Sequence, residues 1–189
     1  MTVSYTLRRH ALEPLMIWQV AADALECRTE RGPMQRWPYA GMAELRLQYD
    51  PTRFNPDNYV CLLTPLKGER IRLPSTHFAG IGHFDNRAAD YRAFVQALTT
   101  RLADANPRCH FAAGPTPARF WAGQVVQWLA LLLVAVVIGM TGSVPLFFLL
   151  LLAVIYLPLA WHYGRRNRPQ AFVPPHLPEA VLPPEPRHD

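Results

Sequence analysis

The chain has 189 residues, of which half are hydrophobic and 17% are charged, and its formal net charge is +5. This length allows one domain of ordinary size and a smaller second part. The first 118 residues hold 14 basic and 11 acidic residues, an ordinary mix that does not indicate a nucleic-acid partner. The 45 residues between Arg119 and Arg165, by contrast, contain no Asp, Glu, Lys or Arg.

Alternating apolar and polar residues fill the first part of the chain. Residues 42–49, MAELRLQY, place Leu45 and Leu47 on one side, and the segment RIRLP places Ile71 and Leu73 on one side. Similar short runs occupy residues 4–9, 15–20, 24–29 and 59–63, with Gly, Pro, Asp and Asn between them. This period of two predicts an antiparallel, half-buried sheet.

The period changes at Asp85, where the segment DNRAADYRAFVQALTTRLADA begins. Asp85 or Asn86 is the predicted N-cap, and Asn106-Pro107 is the predicted end. The apolar residues at helical spacing are Tyr91, Phe94, Val95, Leu98 and Leu102. The segment is therefore predicted to be an amphipathic helix that packs its apolar side on the sheet.

Six or seven strands followed by one helix resemble the pleckstrin-homology-like (PH-like) superfold over about residues 4–103. The segments that carry the resemblance are WPYAGMAELRLQY (residues 37–49) and YRAFVQALTTRL (residues 91–102). The resemblance implies an α+β fold in which two antiparallel sheets form a twisted β-barrel that a C-terminal helix closes at one end. The expected cytoplasmic domain, with its linker, covers residues 1–118.

Two long apolar runs follow, residues 120–140 and 144–164. A membrane helix needs about 20 apolar residues, so one helix through both runs would be about twice too long. Gly142, Ser143 and Pro145 have the chemistry of a turn and of a helix start. The sequence therefore predicts a two-helix transmembrane hairpin over residues 119–164.

Basic and aromatic residues lie at the beginning of the first run and at the end of the second run. The predicted interface anchors are Arg119, Trp121, Trp161, Tyr163, Arg165, Arg166 and Arg168. The segment between the runs contains no Lys or Arg, so the positive-inside rule places both termini in the cytoplasm. We expect a multi-pass protein of the cell inner membrane. The layout resembles a bacterial membrane-protein family with a PH-like N-terminal domain, a resemblance that implies no activity.

The last segment, residues 165–189, is a proline-rich cytoplasmic tail. Seven of the 21 residues from Pro169 to Asp189 are proline, which favours extended polyproline II conformation or disorder. Two alternatives stay open at this point. The tail is solvated, or it docks on a partner or on its own domain through Phe172, Leu177 and Leu182.

Residues that carry chemistry are sparse. His77, His83 and Asp85 form the richest polar cluster, but their spacing is not that of a metal site, and we interpret the segment as a loop that caps the helix. The cysteines, Cys27, Cys61 and Cys109, form no C-x-x-C pair and are expected to be small buried hydrophobes. We expect no catalytic residues, no metal and no cofactor.

These observations favour a membrane-anchored cytoplasmic interaction or scaffold module with an unidentified membrane or cytoplasmic protein as its partner. One alternative is an anionic-lipid reader, whose basic face would consist of Arg8, Arg46, Arg70 and Arg72. Another is an accessory subunit of a transport or envelope complex. The small-x-x-x-small spacing of Ala135 and Gly139 leaves homo-oligomerisation through the spans open.

Overall fold

The structure is a computed structural model that describes residues 3–8, 13–30, 32–52, 56–80, 83–141 and 146–184. The predicted turn at Gly142 and Ser143 lies outside these residues. The fold is mixed α+β, with antiparallel sheets and three α-helices in the described part of the chain. Contacts divide the chain into two compact units, one formed by Met1–Gly114 with Gln170–Asp189 and the other by Pro115–Pro169.

The elements follow one another in chain order within the described residues. The strands are β1 (Val3–Leu7), β2 (Met16–Val20), β3 (Ala24–Thr29), β4 (Gln35–Pro38), β5 (Met42–Tyr49), β6 (Tyr59–Pro65), β7 (Ile71–Pro74), β8 (Thr76–Gly80), β9 (His83–Asn86), β10 (His110–Ala113) and β11 (Gln170–Ala171). The helices are α1 (Ala88–Ala105), α2 (Pro117–Thr141) and α3 (Leu146–Arg166). Two short 3₁₀ turns are Tyr39–Gly41 and Glu179–Val181.

The first unit contains two larger sheets. Strands β1 to β4 form an antiparallel meander, and the second sheet has the order β11-β10-β5-β6-β7. In the second sheet β10 runs parallel to β5, whereas the other pairs are antiparallel. No strand pair joins the two sheets among the described residues, so the expected closed β-barrel is not formed there.

The core lies among the two sheets and α1. Leu45 and Leu47 of β5 and Leu73 of β7 are fully buried, which confirms the alternation predicted for these strands. Tyr5 of β1 packs against Phe94 of α1, with ring centroids 5.4 Å apart. All five apolar residues of the predicted helix stripe are fully buried: Tyr91, Phe94, Val95, Leu98 and Leu102. The amphipathic helix was therefore predicted correctly.

The predicted start of this helix was wrong. It begins at Ala88, and Arg87 occupies the N-cap position without a side-chain cap. Residues His83–Asn86 belong instead to β9, which pairs with β8 so that His77 lies opposite Asp85. The predicted capping loop is thus a β-hairpin, since backbone pairing has taken up the residues that were expected to cap.

The second unit contains α2 and α3. Thr116 caps α2 by accepting a hydrogen bond from the Arg119 amide at 3.4 Å, and Pro117 occupies the first helical position, which suits proline. Within the described residues one stretch, Pro117–Val136, is long and apolar enough to cross a membrane, and none of it is buried. The second predicted span is helical over Leu146–Arg166 and continues through Pro158.

Candidate peptide-docking groove

The proline-rich tail is docked on the first unit. Strand β11 extends the second sheet by pairing with β10, with Ala112 opposite Ala171 and Ala113 opposite Gln170. The Phe172 amide then donates to the Phe111 carbonyl oxygen at 3.2 Å. Two alternatives were left open for the tail, and in the structure the tail docks on its own domain. We call the surface of α1, β5 and β10 that holds residues 170–184 the tail groove.

Apolar side chains of the tail enter the core of the first unit. The Phe172 ring lies 5.8 Å from the Phe111 ring, centroid to centroid. Val181 is 1% exposed and Leu182 is 4% exposed, and the 3₁₀ turn that carries Val181 packs on β5. Burial of each such aliphatic side chain contributes about 1.5–3 kcal/mol, so these two residues stabilise the docked tail substantially.

A single arginine of α1 holds the end of the tail. Arg92 Nη1 donates to Glu179 Oε2 at 2.8 Å, and Arg92 Nη2 donates to Glu179 Oε1 at 2.9 Å. The Nη1 atom also donates to the Pro183 carbonyl oxygen at 2.7 Å. This bidentate, charge-assisted arrangement fixes the orientation of the 3₁₀ turn as well as adding binding energy. We call these contacts the arginine clamp.

Proline suits the tail for this mode of binding. An extended proline-rich segment carries few backbone amides that need a partner, and much of its conformational entropy is already lost before docking. The amides that remain are used inside the tail as well as on β10: Val181 donates to the Pro178 carbonyl oxygen and Leu182 to that of Glu179. The segment therefore docks with few unpaired amides.

The tail groove was missed at the level of sequence. Strand β10 lies after the predicted helix, in the stretch that was interpreted as the linker of the first 118 residues. The short apolar run Phe111-Ala112-Ala113, all three buried, was the available signal for β10. No local pattern pairs Arg92 with Glu179, since the two residues are far apart in the chain.

The four arginines of the predicted basic face do not form a free cationic patch. Leu62 of β6 pairs with Arg46 of β5 on one side and with Arg72 of β7 on the other. The two arginines therefore lie on the same face of the second sheet. Arg46 pairs with Glu44, and Arg72 Nη2 lies 2.5 Å from Asp50 Oδ2. Arg70 is exposed just before β7, and Arg8 lies beyond β1.

Arg46 has a structural task. Its Nη1 atom donates to the Gly114 carbonyl oxygen at 3.0 Å, and the Gln48 side-chain amide donates to the same oxygen at 3.3 Å. Gly114 has a φ of 75°, which glycine adopts without a Cβ clash. These contacts fix the point at which the chain leaves the first unit. Arg46 is consequently 12% exposed rather than turned to a lipid surface.

The histidine and cysteine residues that were considered as metal ligands or nucleophiles have structural roles. His77 Nδ1 accepts a hydrogen bond from the Arg8 amide at 3.1 Å. Among the described residues no three His, Cys, Asp or Glu side chains converge. All three cysteines are buried, as predicted, and burial raises the pKa of the Cys61 thiol to about 12. Such a thiol stays protonated near neutral pH and is a weak nucleophile.

The predicted membrane-interface anchors all belong to the second unit. Trp121 and Trp161 are 66% and 73% exposed, and Tyr163 is also exposed. Trp121 and Trp161, together with Arg165 and Arg168, line one cavity between the beginning of α2 and the end of α3. Arg119 and Arg166 flank it in the chain.

Comparison with protein-family models, with curated proteins and with solved structures found no match.

Proposed function

We propose that the protein is an integral membrane protein whose first unit is a PH-like interaction module that binds extended peptide segments. The observation that carries the interaction role is the docked tail. Strand addition to a sheet edge, with side-chain pockets for specificity, is a recurring way in which folded domains bind peptides. Here the sheet edge is β10 and the pockets receive Phe172, Val181 and Leu182.

The order of elements supports the PH-like part of this proposal. One antiparallel meander, β1 to β4, precedes a second, β5 to β7, and α1 follows and packs on β1 and β2. In the resemblance these two meanders are the two sheets of the barrel and α1 is the closing helix. The hairpin β8–β9 and the pair β10–β11 are additions to that plan.

Two observations support anchorage by a transmembrane hairpin. The exposed apolar stretch Pro117–Val136 has the length and hydropathy of a span. The pairing of Ala113 with Gln170 makes the segment between them leave and re-enter the first unit at neighbouring positions. A membrane segment with both ends at one place crosses the bilayer an even number of times. With Arg165, Arg166 and Arg168 after α3, the positive-inside rule favours cytoplasmic termini at the inner membrane.

The anionic-lipid-reading alternative receives less support from the geometry of the first unit. Arg46 and Arg72 already bind carboxylates, and Arg46 also holds Gly114. A lipid phosphate at these positions would have to compete with existing partners. A peptide would compete with the docked tail, and that tail is itself an extended segment of the kind that the groove accepts.

The peptide role can be tested by emptying the tail groove. In the full chain in detergent, Val181→Asp with Leu182→Asp introduces two charges into the core contact and should release the tail. A labelled peptide of residues 169–184 should then bind at least about tenfold more tightly than it binds the unmutated chain, because a tethered tail competes at high effective concentration. Fluorescence polarisation measures the two affinities.

Two further variants make the test specific. Adding Arg92→Met to the emptied chain should weaken peptide binding, because the arginine clamp is lost. Arg101→Met is the matched control, since Arg101 lies nine residues later in α1 and therefore on its opposite face. A folded, emptied chain that does not bind the peptide, or a chain that unfolds when the tail is released, would make the tail a fixed strand of the domain and refute the interaction role.

A further inference from the structure

The beginning of α2 and the end of α3 line an open cavity of about 760 Å³. Its walls include Trp121 and Trp161, and its polar groups come from Gln124, Gln127, Arg165 and Arg168. A cavity of this size is in the range of small-ligand sites. The helices approach closely at its edge, because the Gln124 Nε2 atom lies 3.5 Å from the position that a Cβ on Gly164 would occupy.

The polar groups of this cavity are suited to an anion. Gln124 and Gln127 lie one helical turn apart on α2 and each carries an amide donor, while the two arginines carry guanidinium donors that match phosphate geometry. No Asp or Glu occurs anywhere between Asp104 and Glu179. Within the described part of the chain, Arg165 and Arg168 form no ion pair with a carboxylate.

The apolar walls indicate which kind of anion. Leu157 and Pro158 continue the cavity along α3 away from the arginines. A ligand that fills it therefore has a charged end at Arg165 and Arg168 and an apolar end beside Leu157 and Pro158. Tryptophan is enriched at the level of the lipid headgroups, and basic pockets between spans on the cytoplasmic side bind anionic headgroups.

We propose that this cavity is a binding site for one anionic phospholipid, with its phosphate between Arg165 and Arg168 and its acyl chains beside Leu157 and Pro158. The site rests on the membrane anchorage proposed above and is independent of the peptide role. It also differs from the basic face expected from the sequence, which lies on the first unit.

The test uses the purified full chain in detergent with phosphatidylglycerol or phosphatidylcholine of the same acyl chains, and native mass spectrometry counts the bound lipid. Each arginine near an anionic headgroup is worth about fivefold in affinity, so phosphatidylglycerol should bind about 30-fold more tightly than phosphatidylcholine. Equal binding of the two lipids by the unmutated chain would overturn the proposal without any variant.

Single substitutions then locate the site. Arg168→Gln should weaken phosphatidylglycerol binding about fivefold, whereas Arg166→Gln, which removes the same charge from a residue that does not line the cavity, should weaken it less than twofold. Equal losses would mean a diffuse surface attraction and would overturn the site. A chain that stays monodisperse without detergent would instead refute the anchorage, so the two failures are distinguishable.

Discussion

Ala113 of β10 and Gln170 of β11 are direct antiparallel partners, although the whole helical unit lies between them in the chain. Their Cα atoms are therefore about 5 Å apart. The first unit thus holds both ends of the helical segment. For the membrane anchorage proposed above, this pairing is incompatible with a single crossing of a bilayer, and the side on which residues 142–145 lie would determine the side of both termini.

Thiol labelling in intact cells tests this topology. A cysteine at Ser143 should react with an impermeant maleimide added outside, whereas Lys67→Cys, in the exposed turn before β7, should react only after permeabilisation. The three native cysteines are buried, so the unmutated chain should give little background in either condition. Labelling of Asp189→Cys from outside would contradict cytoplasmic termini.

The arginine clamp should contribute measurably to tail docking. Arg92→Met removes two contacts, with Glu179 and with the Pro183 carbonyl, whereas Glu179→Gln removes only the ion pair. Because Glu179 is 74% exposed, its substitution should cost less than about 1 kcal/mol. Arg92→Met should cost about 1–3 kcal/mol, since it also leaves a carbonyl without its charged donor.

Amide hydrogen exchange provides the measurement for the clamp. The Val181 and Leu182 amides are hydrogen-bonded only while the 3₁₀ turn is formed, so they should exchange faster in Arg92→Met than in Glu179→Gln. Unchanged exchange in both variants would show that apolar burial alone holds the tail. The Arg101→Met variant should leave these amides as protected as they are in the unmutated chain.

The periodicity of apolar residues was sufficient to predict which face of a single strand or helix lies in the core. The alternation around Leu45 and Ile71 and the stripe of α1 all describe faces that a single element presents to the core. The same reasoning missed β10, because its partner β5 is parallel and lies far away in the chain. Parallel pairing leaves no turn signal beside the strand.

The errors at the site have the same origin. Arg46 lies on the outward face of β5 as predicted, yet its side chain is largely covered, because it donates a hydrogen bond to the distant Gly114 carbonyl oxygen. Tail docking stayed open because proline-rich composition predicts an extended conformation and not what that conformation contacts. Residues 83–86 have capping residues at one end, but pairing with β8 outweighed that local preference.

The strand register of β7 predicts unequal effects at neighbouring positions. Ile71 faces the core and is 7% exposed, so Ile71→Ala should reduce the free energy of unfolding by about 2–5 kcal/mol through a cavity. Arg72→Ala removes a half-exposed ion pair with Asp50 and should cost at most about 1 kcal/mol. Urea unfolding of the full chain in detergent, followed by tryptophan fluorescence, compares the two. A larger loss for Arg72→Ala would refute the register.

Buried thiols should make the first unit sensitive to alkaline pH. Burial raises the pKa of Cys61 from its ordinary value of 9.0 to about 12 and that of Cys109 to about 11. Above pH 9 the unfolded chain therefore releases these protons while the folded chain retains them. Their contribution to stability is fully present below the unfolded pKa and is lost as the pH rises through the interval up to the folded pKa.

Between pH 9 and pH 10 the cysteines of the unfolded chain ionise ahead of its tyrosines, because burial also raises the pKa of Tyr5, Tyr39 and Tyr91, but from a higher ordinary value of 10.0. In this window the Cys61 thiol should contribute a loss of about 1 kcal/mol in the free energy of unfolding per pH unit. Cys61→Ala should be less stable at pH 7 but should lose less between pH 9 and pH 10. Urea midpoints at pH 7, 8, 9 and 10 measure both slopes, and parallel losses in the two chains would show that Cys61 is not the responsible group.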